Sequence, residues 1–375
     1  MKIGILTLPF NNNYGGYLQC YALMTVMKQM GHDVELIYRR MEPKYTGTTI
    51  PSTIKNTIKC IIKYLLDQQD FIIPKSENLH RWHGRNLMPF VDKHITKGAI
   101  PLYSEEELYR HIDTKRFDAI VVGSDQIWRP DYGQRNIREF SLSRLRGDMP
   151  RRVVYAGSFG TDTPTLTEEE IKTCREGYKN FEAISTRESC GLDILKKYEW
   201  QAKTESQNTL DPTLLLRKEH YSTLLPSQPS ESEGRIFTYV LDASEGNNAV
   251  TAQISSMLNL EIMNFFDKGI DHSELPSIEN WLAGIRDAEF VITDSFHGCV
   301  FSIIFNKPFA VTCNSARGNA RFKSILSALN LQNRMTDGSA ESLARLKEGI
   351  DWKEVNATKE ILAQNSINFL ESSLH

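Results

Sequence analysis

Asp294, Ser295, Phe296, His297 and Gly298 stand in a row directly after the apolar run Glu289 to Thr293. A carboxylate, a hydroxyl and an imidazole thus meet where a buried strand is expected to end. In a helix that starts at Ser295, Asp294 and His297 lie three residues apart and share a face. A carboxylate so placed would hold one imidazole tautomer, which general acid–base chemistry needs, and Gly298 would clear space beside the ring. The same residue types also make a helix cap beside a packed histidine, so the pattern leaves both readings open. No third or fourth ligand joins Asp294 and His297 to hold a metal.

Three further stretches place polar side chains after strands. In GSDQIW, residues 123–128, Asp125 and Gln126 follow an apolar run and precede Trp128. That set suits a hydroxylated ligand, and Ser124 and Asp125 equally suit a capped turn. Arg187 follows the short strand AIST and is expected to open a helix, the end where a cation is disfavoured. The mismatch points to an anion held by the guanidinium fork, with a salt bridge to Glu188 or Asp211 as the structural alternative. NNNYGG, residues 11–16, lacks the spacing of dinucleotide and nucleoside-triphosphate loops. Its glycines still allow a helix N-terminus to approach a ligand, or simply make a βα turn.

The elements around these stretches alternate. KIGILTL reads as a first strand, a helical pattern begins at about Tyr17, and DVELIY follows as a second strand, making a βαβ unit. Strand and helix patterns repeat to residue 225, interrupted at about 43–100 by basic, helix-like pieces. PSQPSESEGR is poor in apolar residues, and 226–234 is assigned as a linker. The alternation restarts over 235–345, and 346–375 reads as a helical tail able to pack back across the two units. The expected fold is α/β with two Rossmann-like parallel-sheet lobes, which puts ligands at the carboxyl ends of the strands and in the cleft between lobes.

Composition narrows the classes. The 375 residues carry a formal charge of −3 and a pI near 6.3, so no global basic field predicts nucleic-acid binding. The six cysteines form no C-x-x-C pair and are expected to be reduced and mostly buried. No apolar stretch reaches the roughly 18 residues needed to cross a bilayer, and a cytoplasmic location is expected.

Six strings in order, NNNYGGYLQCYAL, FDAIVVGSDQIW, VVYAGSFG, AISTRESCG, LDPTLLL and FVITDSFHGCVFSIIFNKPFAV, resemble the polysaccharide pyruvyl transferase family. The resemblance spans residues 1 to about 330, apart mainly from 43–100. It implies a two-lobed fold similar to the GT-B glycosyltransferases and transfer of the enolpyruvyl unit of phosphoenolpyruvate onto a sugar hydroxyl pair as a ketal, in surface or capsular polysaccharide synthesis. Phosphoenolpyruvate would be a co-substrate, with no cofactor, and the acceptor would be a sugar or a lipid-linked oligosaccharide, which would bring the chain to a membrane surface. The implied catalytic residues are His297 with Asp294. The implied donor side is Arg187, Ser295, Gly298 and Arg321, and the implied acceptor side is Asn13, Tyr14, Gly15, Gln19, Asp125, Gln126 and Trp128. Many relatives carry Arg two residues before the histidine; Ser295 stands there in this chain, and a hydroxyl does not replace a guanidinium. Either Lys307, Arg317 or Arg321 would then supply the cation, or the donor would differ from phosphoenolpyruvate. A GT-B-like glycosyltransferase using a nucleotide sugar, or a non-catalytic sugar-binding relative, are the alternatives.

Overall fold

The structure is a computed structural model that describes residues 1–40, 83–130, 137–242, 244–267, 275–312 and 318–375. Strand β1 (Lys2–Leu6) is followed by helix α1 (Tyr14–Gln29) and β2 (Asp33–Leu36). The Asn13 side chain caps α1, accepting from the Gly16 N–H at 3.3 Å. A cap sets a helix start more firmly than the first apolar residue does, so α1 begins at Tyr14 rather than Tyr17. Most of the expected insertion lies outside the described residues. Its end forms α2 (Met88–His94), which lays Phe90 against Tyr21 of α1.

Next come α3 (Glu105–Lys115), β3 (Ala119–Asp125), β4 (Arg151–Gly157) and α4 (Glu168–Tyr178). Ser104 caps α3 through the Glu107 N–H at 3.1 Å, while the Glu107 carboxylate reaches back to the Tyr103 N–H rather than that of Ser104. Strand β5 (Ala183–Thr186), α5 (Cys190–Lys197) and β6 (Gln207–Asn208) complete a parallel sheet of order β2-β1-β3-β4-β5-β6.

After α6 (Lys218–Ser222), Ser230 and Ser232 tie the polar linker to the second lobe, through Asp287 and the Gly284 carbonyl at 2.7 Å each. That lobe contains β7 (Ile236–Tyr239), α7 (Glu245–Leu258), β8 (Ile262–Asn264), α8 (Ile278–Asp287), β9 (Phe290–Thr293), α9 (Phe296–Ile304), β10 (Phe309–Thr312), α10 (Ala320–Ala328), β11 (Met335–Thr336) and α11 (Ala340–Arg345). Its strands are parallel in the order β11-β10-β9-β7-β8. Ile278, Trp281, Leu282 and Ile285 of α8, spaced for one helical face, are all fully buried.

Two features join the lobes. One apolar core runs through both: Tyr14 of α1 stacks on Trp281 at 5.5 Å and meets Phe265 and Tyr239 edge-on, contacts worth about 0.5–1.5 kcal/mol each beyond area burial. The last helix, α12 (Trp352–Leu374), touches both lobes. Its Asn356 bonds Asn306 of the second lobe, and its Ser366 hydroxyl accepts from the Leu210 N–H at 3.0 Å. No described helix is long and apolar enough to cross a membrane.

Candidate functional site

In the first sheet the chain changes direction between β1 and β3, and in the second between β7 and β9. Loops at such switch points splay apart and leave a crevice at the strands' carboxyl ends. The two crevices face each other in one cleft of about 550 Å³. Asn11–Asn13 after β1 and Asp125–Gln126 at the end of β3 line one side; Tyr239 at the end of β7, Leu241 after it, Asp294–His297 after β9 and Arg321 of α10 line the other.

Ser295 caps α9, accepting from the Gly298 N–H at 3.4 Å, and so sets His297 in the first turn. His297 is 6% exposed. It lies against Gly15 of α1, where an added Cβ would overlap it, with Nδ1 the nearest atom. Its other nitrogen, Nε2, lies 3.4 Å from Asp211 Oδ2, within ion-pair reach but without hydrogen-bond geometry. Asp211 follows β6; its Oδ1 accepts from the Thr213 N–H at 3.0 Å and the Thr213 hydroxyl at 2.6 Å. Burial alone would raise the Asp211 carboxyl, but His297 and Arg187 opposite it hold it well below the usual carboxylate range.

Asp294, the expected partner of His297, turns its carboxylate to the N–H groups of Leu241 at 2.6 Å and Asp242 at 3.0 Å. Two successive N–H donors after β7 draw it away from the ring, and it braces the cleft wall. Gly298 does not clear space for the ring either: a Cβ there would overlap Thr293, whereas Gly15 provides the room.

Arg187 is not on a helix, because α5 begins at Cys190; the dipole mismatch expected from the sequence therefore does not arise. Its fork bridges two carboxylates, Nη1 to Asp211 at 2.8 Å and Nη2 to Asp125 at 3.1 Å, and its side chain is 1% exposed. The salt-bridge alternative to an open anion site is thus the one that forms. Burial would lower the Arg187 pKa, but Asp125, Asp211 and Glu188 outweigh it and raise it. Its guanidinium also sits over the Phe296 ring at 4.6 Å, and Arg321 sits over the same ring at 5.4 Å. Of the cations considered in place of the arginine absent at Ser295, Arg321 lines the cleft. Lys307 opens onto a separate depression with Lys218 and Arg286, and Arg317 lies outside the described residues.

The polysaccharide pyruvyl transferase family model matches residues 13–313. The chain belongs to this family. No curated protein matches it. Among solved structures it is similar to UDP-GlcNAc 2-epimerase from Methanocaldococcus jannaschii, at 10% identity over 97% of this chain and 99% of that one, with a TM-score of 0.51. It is similar as well to UDP-GlcNAc 2-epimerase from Neisseria meningitidis bound to UDP-GlcNAc, at 8% identity over 100% and 99% of the chains, with a TM-score of 0.50. At such identities the likeness is one of fold, two parallel-sheet α/β lobes in a GT-B-like arrangement.

Within this pyruvyl transferase family member, the residues expected on the acceptor side divide. Asn13, Gln19, Asp125 and Gln126 line the cleft. The Gln19 amide donates to Thr7 and to the Gly16 carbonyl at 3.0 Å each, which leaves its buried Oε1 without a partner. Tyr14 and Trp128 turn away from the cleft. Tyr14 donates its hydroxyl to the Pro276 carbonyl at 2.6 Å inside the interlobe core, and Trp128 donates to the Tyr178 hydroxyl at 2.7 Å while packing on Phe159 and Trp200. A large ring beside an apolar core gains more from burial than from a wet cleft. Asp211 was not a sequence candidate for the site; its signal was the LDPT string, in which an aspartate caps a turn that opens with proline.

Proposed function

We propose that the chain transfers the enolpyruvyl group of phosphoenolpyruvate to a pair of hydroxyls on a sugar, free or lipid-linked, as a ketal in the assembly of a surface polysaccharide. The observation that carries this reading is the place of His297, held against the α1 N-terminus and opposite Asp211 where the switch points of both lobes meet. Family membership supports it. Arg321 and the N-terminus of α9 offer positive charge to a small anion in a net acidic chain.

The chemistry asks for one acid–base group used in turn. A proton delivered to the methylene carbon makes C2 electrophilic; one sugar hydroxyl adds there and gives up its proton. Phosphate leaves with the C–O bonding pair and takes up from that group the first hydroxyl's proton, and the second hydroxyl closes the ketal ring as it returns its own proton to the group. His297 is suited to move these protons, a role typically worth about 10²–10⁴ in rate. Asn13, Gln19, Asp125 and Gln126 present the polar wall that would orient the hydroxyls.

Phosphate release from phosphoenolpyruvate, measured with galactose-type and mannose-type acceptors, tests the reading. It should appear with the wild type and vanish with His297→Ala while acceptor binding persists. A folded wild-type protein that releases no phosphate with any of them would refute it. A nucleotide-sugar glycosyltransferase is the second reading, favoured by the closure of Arg187 onto two carboxylates and by a fold shared with proteins named for UDP-GlcNAc. Thermal stabilisation by a nucleoside diphosphate and not by phosphoenolpyruvate would select it.

A further inference from the structure

We propose that Asp211 is the positioning residue of His297: its carboxylate, facing Nε2 within ion-pair reach, keeps the proton on that nitrogen and leaves Nδ1 as the atom that gives and takes protons in the cleft. This rests on the reading of His297 as the acid–base group of pyruvyl transfer. Two features at opposite ends of the ring select this tautomer. On the Nε2 side stands a carboxylate, 3.4 Å away. On the Nδ1 side stands the first turn of α1, where Gly15 touches the ring; the N-terminal end of a helix carries partial positive charge and favours a lone pair over an N–H pointing at it. A carboxylate that keeps the proton on one imidazole nitrogen thereby fixes the state of the other.

Asp211 is itself unable to turn away. Thr213 occupies Oδ1 with two donors, Arg187 occupies Oδ2, and the residue is buried. Arg187 is held in turn by Asp125 and by the face of Phe296, the residue next to His297. The otherwise closed Arg187 bridge thereby has a use: it keeps a charged carboxylate rigid behind the ring. Among the described residues, the charged groups around the ring and its cleft are Asp211, Arg187 and Asp125 from the first lobe, and Asp294 and Arg321 from the second. Because Asp211 and His297 come from different lobes, the pair exists only where the lobes meet.

In the reaction the imidazolium breaks its Nδ1–H bond as the alkene pair of phosphoenolpyruvate forms the new C–H bond. Nδ1 then accepts the proton of the attacking hydroxyl. Asp211 stays a carboxylate throughout, stabilising the imidazolium without taking its proton.

Two-bond ¹H–¹⁵N NMR on the full chain, with the His297 signals identified by their loss in His297→Gln, reads the tautomer directly. The wild type should show the Nε2–H form, and Asp211→Asn should shift it towards the Nδ1–H form. In phosphate release, Asp211→Asn should lower kcat by roughly a hundredfold or more with KM for phosphoenolpyruvate little changed, and Asp211→Glu should recover part of kcat. An Nδ1–H tautomer in the wild type, or a His297 spectrum unmoved by Asp211→Asn, would overturn the proposal. The wild-type tautomer decides it even if Asp211→Asn does not fold. Since NMR needs no turnover, absence of phosphate release counts against the reaction and leaves the pairing to be decided by the spectrum.

Discussion

Gly15 of the first lobe and His297 of the second occupy adjoining space so tightly that no Cβ fits between them. The glycine in α1 therefore serves the imidazole in α9. Gly16, one residue on, has no such constraint: a Cβ there would meet nothing nearer than 3.6 Å.

Gly15→Ala is expected to push the ring off Asp211 or α1 off the second lobe, costing about 1–3 kcal/mol of stability as overpacking does. Gly16→Ala should match or exceed the wild type in stability, because alanine is the better helix former by about 1 kcal/mol. Thermal unfolding of the two variants checks this, and equal melting temperatures would show that the Gly15 contact carries no constraint.

Arg187→Met would take the guanidinium from the buried Asp125 and would leave the buried Asp211 with only His297 as a cationic neighbour. Removing one partner of a buried pair typically costs about 3–5 kcal/mol, so the variant should unfold at markedly lower urea. Were Arg187 instead an open ligand for the donor phosphate, its loss would raise KM for phosphoenolpyruvate and leave stability unchanged.

Arg321→Ala tests the cation placed in the cleft. Charge-assisted contacts to an anion are typically worth about 1.5–3 kcal/mol, so the affinity for phosphoenolpyruvate measured by calorimetry should fall by about ten- to a hundredfold. Lys307→Ala, in a separate depression, should leave that affinity unaltered. The reverse pattern would place the donor elsewhere.

The depressed carboxyl of Asp211 links stability to pH. Its folded pKa lies below its ordinary value of 3.8, so its contribution is complete above that value and is lost as pH falls towards the folded one. Between pH 5 and pH 3 the urea midpoint should fall more steeply for the wild type than for Asp211→Asn. Parallel curves would mean that the carboxyl is not held low in the folded state.

Much of this was legible without coordinates. The buried strands and the helix faces follow from apolar periodicity, which is local: Ile278, Trp281, Leu282 and Ile285 declare one face by spacing alone. So did the motif at His297 and its cap, since Ser295 and Gly298 lie within one turn. Side-chain direction at strand ends was harder. Trp128 and Tyr14 sit beside polar residues in the sequence, yet each is drawn into a core built from distant segments. Arg187 illustrates the same limit: its two candidate roles differ only in whether Asp125 and Asp211 reach it, and those residues lie 62 and 24 positions away.

By itself the sequence determined two α/β lobes, the order of their strands along the chain, and a histidine poised at the end of β9, because each of these is set by residues within a turn or a strand of one another. Only the tertiary structure decided which carboxylate faces that histidine, which glycine makes room for it, and which arginine remains in the cleft. Those are relations across 86 residues for Asp211 and across both lobes for Gly15, and they arise only when two parallel sheets bring their switch points together.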